Sequence, residues 1–376
     1  MKKAFTIVLS AVMLCFAGCS SGSKQAASES STLKSQSVSE SSAESEEKSA
    51  APSEASNDTS DDLNSVIADI IDSYNFEGVL YVKMGGKVIT SFAGGSLENG
   101  DAYSVGTSIP VGSVSKQFCA AAILSLRDQG RLSLDDTLEK YFPEYTNGRS
   151  ITLKNLLSMR SGIPNLPEEL LNVVTVDKTE EENIASIKEA IFGMPLEFEP
   201  DSRFAYSNNN YFLLSNIIEQ ITGRKYIDFL RESFFVPLGM SHTGNIDEMR
   251  SGAEWANGVF YNEIDAQPGL TKGAGDIITN AEDITLWLNG LVNGKVISES
   301  SFKEMTTNYS SSNCYGYGLF TPYFAGIGHP GSIGKYTAAD YIDTKNNITV
   351  FFAGGTLPAG SLNNFLSQIL SALNNN

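Results

Sequence analysis

After Lys116 the chain reads Gln-Phe-Cys-Ala-Ala-Ala-Ile-Leu, residues 117 to 124, a helical stretch apolar on nearly all sides. A helix without a polar face has to lie inside a domain, so the rest of the chain must supply the layers that bury it. The material is there: 41% of the 376 residues are hydrophobic. A length of this order allows one or two domains. About 310 residues, from 63 to the end, contain no repeat and no second Ser- or Pro-rich break, which predicts one large domain over 63–376.

Around that buried stretch the periodicity changes in a definite order. Leu63, Val66, Ile67, Ile70 and Ile71 follow helical spacing. Two apolar runs, Gly78–Met84 and Lys87–Phe92, are joined by Gly85-Gly86, a hairpin signal. From about Ser113 to Met240 the pattern is mostly helical, punctuated by Gly130, Gly162 and Gly223, with Pro143, Pro164 and Pro237 in its connections. Strand signals return around Tyr315–Phe320, Lys335–Ile342 and Ile348–Ala353, and Leu362–Leu373 is helical again. This order predicts an α+β fold. The early hairpin and the late strands would form one antiparallel sheet of five or more strands, with the terminal helices on one face and the helical block on the other.

The first 62 residues belong to no such pattern. Met1-Lys2-Lys3 precedes an apolar run, Ala4–Ala17, of about fourteen residues, too short to span a bilayer, where about twenty are needed, and the right length for a signal-peptide core. Ala17 and Gly18 then precede Cys19. This resembles a bacterial lipoprotein signal (residues 1–18) with Cys19 as the lipidated new N-terminus. Phe16 stands where such signals usually carry an aliphatic residue, and Cys15 is a poorer acceptor behind bulky Leu14. The alternative is plain secretion. Residues 19–62 are mostly Ser, Glu, Ala and Lys, with too few large apolar groups to offset ordering entropy. They predict a disordered acidic tether with a reach of roughly 35 Å. The expected location is the extracytoplasmic face of a bacterial membrane, lipid-anchored or else secreted.

Charge and composition remove several classes. With 44 acidic against 26 basic residues, a net charge of −18 and a pI near 4.5, the chain lacks the basic face that nucleic acid requires. Two histidines and four cysteines leave too few ligands for most zinc sites, and no cysteine cluster suits haem or iron–sulfur. A carboxylate calcium site is not excluded by counting. No cofactor and no metal is expected, and a monomer is.

Pro110-Val111-Gly112 leads into Ser113-Val114-Ser115-Lys116 at the start of the buried helix. Lys116 lies one turn from Ser113 on the same face. A serine hydroxyl needs a base to become a nucleophile, and a lysine is that base only where burial or positive neighbours lower its pKa. A helix N-terminus acts in the same sense and offers N–H groups to an oxyanion. S-x-x-K alone is uninformative, because it recurs at Ser21/Lys24, Ser31/Lys34, Ser45/Lys48, Ser300/Lys303 and Ser332/Lys335. The glycine before Ser113 and the buried helix after it single this copy out. The competing reading is a helix-capping serine with a solvated lysine.

Two further stretches carry polar groups in suitable settings. Tyr206-Ser207-Asn208 precedes an amphipathic helix with Leu213, Leu214, Ile217, Ile218 and Ile221 on one side and Gly223 as its C-cap. A tyrosine relays protons if cationic neighbours lower its pKa; an asparagine holds a carbonyl or orients a lysine. The competing reading makes Tyr206 a packing residue and Asn208 the cap. Tyr145-Thr146-Asn147, next to Gly148, reads as a turn. Late in the chain, Gly328-His329-Pro330-Gly331-Ser332-Ile333-Gly334-Lys335-Tyr336 offers glycines that let another backbone come close and a histidine that is either a cleft residue or a satisfied loop residue. The run is not a phosphate-binding loop: five residues separate Gly328 from Gly334, and Tyr336 stands where Ser or Thr is needed.

In chain order SVSK at 113, YSN at 206 and HPG at 329 resemble the three motifs of the serine β-lactamase and penicillin-binding-protein superfamily, on its class C side. The likeness extends to 151–164, to Phe235–Met240 with Thr243, and to Lys272–Asp283, so it covers about residues 63–373. It implies a β-lactamase/transpeptidase-like fold and acyl-serine chemistry. Ser113 would be the nucleophile and Lys116 its base. Tyr206 would assist and pass the proton to the leaving group. Asn208 would contact the substrate amide, with His329 and Gly331 lining the cleft and the N–H groups of Ser113 and Ser332 forming the oxyanion hole. His329 replaces a lysine and Pro330 a threonine, so one fixed charge is missing or pH-dependent, and a hydroxyl and a strand N–H are lost. Both changes argue against substrates with a terminal carboxylate. Met159-Arg160 replaces His-Thr; Arg160 restores charge only if it faces the cleft. Cys119 and Cys314 read as a buried small residue and a loop thiol, with a disulfide between them as the alternative.

The expected activity is a serine hydrolase acting on an ester or amide, a D-amino-acid peptide or a small ester. Its partners would be that small-molecule or peptide substrate and a membrane through the anchor, with no nucleic acid. The alternatives are a non-catalytic binding protein on the same fold and an anchored peptide- or solute-binding lipoprotein.

Overall fold

A computed structural model describes residues 58–97, 99–253 and 268–375. The expected signal peptide, Cys19 and most of the tether lie outside these residues. Helix α1 (Asp58–Ser73) takes in residues 58–62, which composition assigned to the tether. Strands β1 (Gly78–Met84) and β2 (Lys87–Gly94) form the hairpin over Gly85-Gly86. A two-residue strand β3 (Ile109–Pro110) precedes the 3₁₀ turn Gly112–Ser115 and helix α2 (Lys116–Asp128). Then follow α3 (Glu180–Gly193), α4 (Asn208–Thr222), β4 (Gly244–Asn245), β5 (Ile277–Thr279) and α5 (Ala281–Val292). The chain closes with β6 (Phe320–Tyr323), β7 (Gly326–Ile333), β8 (Tyr336–Asp343), β9 (Ile348–Gly354) and α6 (Leu362–Asn374).

The expected sheet is present and has six strands in the order β2-β1-β9-β8-β7-β6, each pair antiparallel. β8 and β9 are buried along their whole length, as central strands covered on both faces are. On one face Phe76, Phe352 of β9 and Phe365 of α6 meet with ring centroids 4.9–6.3 Å apart, which seats α6 and, against it, α1. On the other lie the 3₁₀ turn, α2 and α5, where the rings of Phe118 and Trp287 meet with centroids 4.1 Å apart. Every residue of α2 from Lys116 to Leu124 is buried, as its all-round apolarity requires. A second small sheet, β3-β5-β4, has strands of two or three residues, too short to leave a periodicity in the sequence.

Two late strand expectations shift. Tyr315 makes only isolated bridges, and the strand starts at Phe320. The run around His329, read from its residues as a loop and from the resemblance as a strand, is strand β7. Its glycines hide the alternation that marks a strand but permit the close packing described below. Among the described residues no helix is long and apolar enough to cross a membrane.

Candidate active site

The 3₁₀ turn presents Ser113 at the end of α2, half-buried between buried neighbours. Gly112 makes this possible. Its φ is +51°, and a Cβ there would stand 2.6 Å from the Ser332 amide nitrogen. Gly331 on β7 answers it: a Cβ there would be 1.9 Å from the Val111 carbonyl oxygen and 3.0 Å from the Ser113 nitrogen. Turn and strand are thus in backbone contact around the amides of Ser113 and Ser332, and only glycine fits on either side.

Lys116 is fully buried. Its Nζ lies 3.0 Å from Ser113 Oγ, 2.8 Å from Asn208 Oδ1 and 2.6 Å from the Ala274 carbonyl oxygen, and 4.9 Å from the Tyr206 ring centre. Burial drives the amine well below its ordinary value, against the opposing pull of Cys119 and Asp276. A neutral amine has two N–H donors and one lone pair. Two of the three neighbours are carbonyl oxygens that only accept, so in the neutral form they would take the N–H groups and leave the lone pair to the Ser113 hydroxyl.

Tyr206, Asn208 and their loop are held from behind. Asn165 Nδ2 donates to the Tyr206 carbonyl at 3.0 Å, and its Oδ1 accepts from the Asn208 amide at 2.7 Å. The unexplained pair Met159-Arg160 serves the same loop: the Met159 carbonyl accepts from the Ala205 amide at 2.9 Å, and Arg160 pairs with Asp201 at 2.7 Å. Arg160 is thereby committed to Asp201 and supplies no spare charge for the cleft. Asn208 is not a cap; Ser207 holds that position, and the Asn208 side chain points to Lys116.

Burial sets two charges that the sequence left open. A proton relay through Tyr206 was tied to cationic neighbours lowering its pKa. Burial instead raises it, only partly offset by the nearby Ser113 hydroxyl, and the phenol makes no well-formed hydrogen bond. Tyr206 therefore sits in the cleft as a neutral phenol. His329 was expected to leave the motif's fixed charge either missing or pH-dependent. It is 2% exposed, and burial together with Lys116 pulls it down to about 3, so it is neutral at physiological pH. Its ring faces Tyr315 Oη at 3.3 Å and its own neighbour, the Pro330 carbonyl, at 2.5 Å.

Ser113, Lys116, Tyr206, Asn208, His329, Gly331 and Ser332 thus come together from four elements. The decoys do not: Lys303 and Lys335 are exposed, and Tyr145 packs on Phe192 at 4.6 Å. Cys119 and Cys314 are both buried thiols with no disulfide between them. Among the described residues no group of three His, Cys, Asp or Glu is placed to hold a metal. Sequence reasoning missed Asn165, Tyr315 and the Ala274 carbonyl. It also missed Asp340, an acid amid the apolar pattern of β8 that could have been flagged as a charge on an inward-facing position.

The sequence pattern of the Beta-lactamase family matches residues 63–358. The Bacillus subtilis (strain 168) protein PbpX, which bears a penicillin-binding-protein name, is 27% identical over 318 residues, 82% of this chain and 78% of its own. Protein flp of Staphylococcus aureus (strain MRSA252) is also 27% identical, but this chain spans only 51% of it. Among solved structures, D-amino acid amidase from Ochrobactrum anthropi SV3 superimposes with a TM-score of 0.69 at 23% identity, covering 84% of this chain and 99% of the amidase; that likeness concerns the fold. The matched span runs from α1 past β9 and contains every motif that meets at Ser113, and on that ground the chain belongs to the β-lactamase family.

Proposed function

We propose that the protein is a serine hydrolase that forms an acyl-enzyme at Ser113 and acts on esters or amides lacking a carboxylate beside the scissile bond, small esters or D-amino-acid derivatives. Membership of the Beta-lactamase family supports acyl-serine hydrolysis at the family level. The observation that carries the reading for this chain is the fully buried Lys116 amine, whose Nζ lies 3.0 Å from Ser113 Oγ. In the acylation step Oγ attacks the carbonyl carbon and its proton passes to Nζ. The Ser113 and Ser332 amides face the oxyanion that forms. Tyr206 gives its phenolic proton to the leaving group and recovers one from the Lys116 ammonium, so both return to neutral. Water then repeats the sequence on the acyl-serine and releases the acid.

Electrostatics supports the choice of substrate. His329 is neutral, Arg160 is engaged with Asp201, Pro330 brings no hydroxyl, and the chain as a whole carries −18. Nothing in this set favours an anionic substrate.

The test is labelling of the purified protein with a fluorophosphonate probe and a fluorescent penicillin, then turnover of p-nitrophenyl esters and D-amino-acid amides against nitrocefin and D-Ala-D-Ala peptides. Fluorophosphonate should attach at Ser113 and fail in Ser113→Ala, and carboxylate-free substrates should be preferred by at least about tenfold in kcat/KM, a discrimination of ~1.4 kcal/mol. Folded wild-type protein that neither probe labels would instead favour a binding protein on this fold.

A further inference from the structure

The chemistry above leaves the buried acid of β8, Asp340, without a task. Asp340 stands on β8 directly opposite His329 on β7 and is fully buried. Cross-strand partners share a face of the sheet, so its side chain lies on the His329 side, towards α2. Its carboxylate accepts from Gln117 Nε2 at 2.9 and 2.7 Å, one to each oxygen, and from the His329 amide at 2.8 Å. Gln117 is the residue after Lys116, and its Oε1 in turn accepts from Trp287 Nε1 of α5 at 3.3 Å. None of these partners is a cation. A buried carboxylate without a counter-charge is a costly way to fill space that an apolar side chain would fill better, and such a group needs a reason.

The geometry supplies one. The β7–β8 ladder fixes β7 within the sheet, but nothing in a ladder fixes the sheet against the helix behind it. Dispersion contacts between α2 and the sheet are non-directional, whereas three hydrogen bonds to one carboxyl group are directional. They join the residue next to the base to the backbone of the strand that lines the cleft. We propose that Asp340 is a positioning residue, whose carboxylate ties Gln117 of α2 to the His329 amide of β7 and so fixes the Ser332 amide relative to Ser113. This rests on the hydrolase reading of Ser113. The donors are specific: every partner of the carboxylate is an N–H, and the Gln117 oxygen is taken by Trp287, so only an acceptor at position 340 completes the set.

The experiment measures acylation by a fluorophosphonate, separated into the saturating rate and the half-saturating concentration, for wild type, D340N and Q117E/D340N, with the thermal midpoint of each. D340N is isosteric but sets an amide donor against the Gln117 donor. Its saturating rate should fall ten- to a hundredfold while half-saturation stays put. The double variant exchanges donor and acceptor, keeps an acceptor for Trp287 and for the His329 amide, and should return the rate to within about threefold of wild type. A D340N rate equal to wild type, with or without a lower thermal midpoint, would overturn the proposal, as would a slow double variant. Should D340N not fold, the double variant is read alone, and its failure to give folded, acylating protein overturns the proposal too. An unlabelled wild type counts against the hydrolase reading itself, whereas a labelled wild type with an indifferent D340N counts only against Asp340.

Discussion

Tyr206 keeps a hydroxyl inside the protein with no well-formed hydrogen bond to answer it. A buried polar atom left unmatched costs ~1–3 kcal/mol, and a site tolerates that where the atom is reserved for a substrate. Tyr206→Phe should therefore separate stability from turnover. Ester hydrolysis should fall about 10²-fold, within the range of general acid–base catalysis, while the thermal midpoint stays level or rises; a drop in midpoint with turnover intact would contradict the assignment. At this scale the sequence was legible where a motif names a side chain, as at Ser113, Lys116, Tyr206 and Asn208. It was silent where the contact is a main-chain atom. The Ala274 carbonyl that holds Lys116 could not be found from residue type, because every residue has a carbonyl. Nor could the burial that keeps Tyr206 and His329 neutral be read from their neighbours in sequence.

Elements meet most tightly where β7 passes the 3₁₀ turn. Gly331→Ala places a methyl 1.9 Å from the Val111 carbonyl oxygen, a backbone atom that no rotamer change can move aside. The strand must retreat. Overpacking of this kind costs ~1–3 kcal/mol, and the separation of the Ser113 and Ser332 amides should slow acylation about 10²-fold or more. Urea denaturation and probe labelling of G331A check the two parts; unchanged labelling would mean that the close contact has no bearing on the chemistry. The same packing explains what pattern reading missed. β1, β8 and β9 were legible within a residue or so because they alternate or run apolar, and Gly85-Gly86 marked the hairpin. β7 was hidden because the glycines that admit the turn erase the apolar signal. The edge strand β6 was displaced because Tyr315, an aromatic in a strand-like run, is buried against His329 and Phe204 and makes only bridges.

The whole molecule holds ionisable groups in its interior, and their titration couples to stability. Burial pushes the Asp276 carboxyl up to about 7, whereas an unfolded aspartate titrates near 3.9. Between those values the folded chain keeps a proton that the unfolded chain has lost. Rising pH therefore favours unfolding, with a slope of about 1.4 kcal/mol per pH unit from this group. His329, pulled to about 3, acts with the opposite sign: as pH falls from its ordinary value towards 3, the unfolded chain gains a proton that the folded chain refuses. Asp276→Asn can still accept from the Gly273 amide, which bonds Asp276 Oδ1 at 3.0 Å, but it does not titrate. Its stability relative to wild type should climb from about pH 4 to about pH 7 and then level off, as read by urea denaturation across that range; a difference independent of pH would refute the assignment. The order of elements that predicted an α+β fold was legible because it depends on periodicity averaged over long windows. The small sheet was not, because strands of two or three residues average to nothing.

The pairing of β1 at 78–84 with β9 at 348–354 has a consequence for how the protein is made. A ribosome moves from N- to C-terminus, so the serine and its lysine leave it long before the strand that faces them exists. β1 waits for a partner some 270 residues downstream, and contacts so distant along the chain form slowly. A fragment released before that point would have its hairpin edge exposed and half a cleft. The sheet behind the serine and its lysine is thus closed only after β9 has left the ribosome.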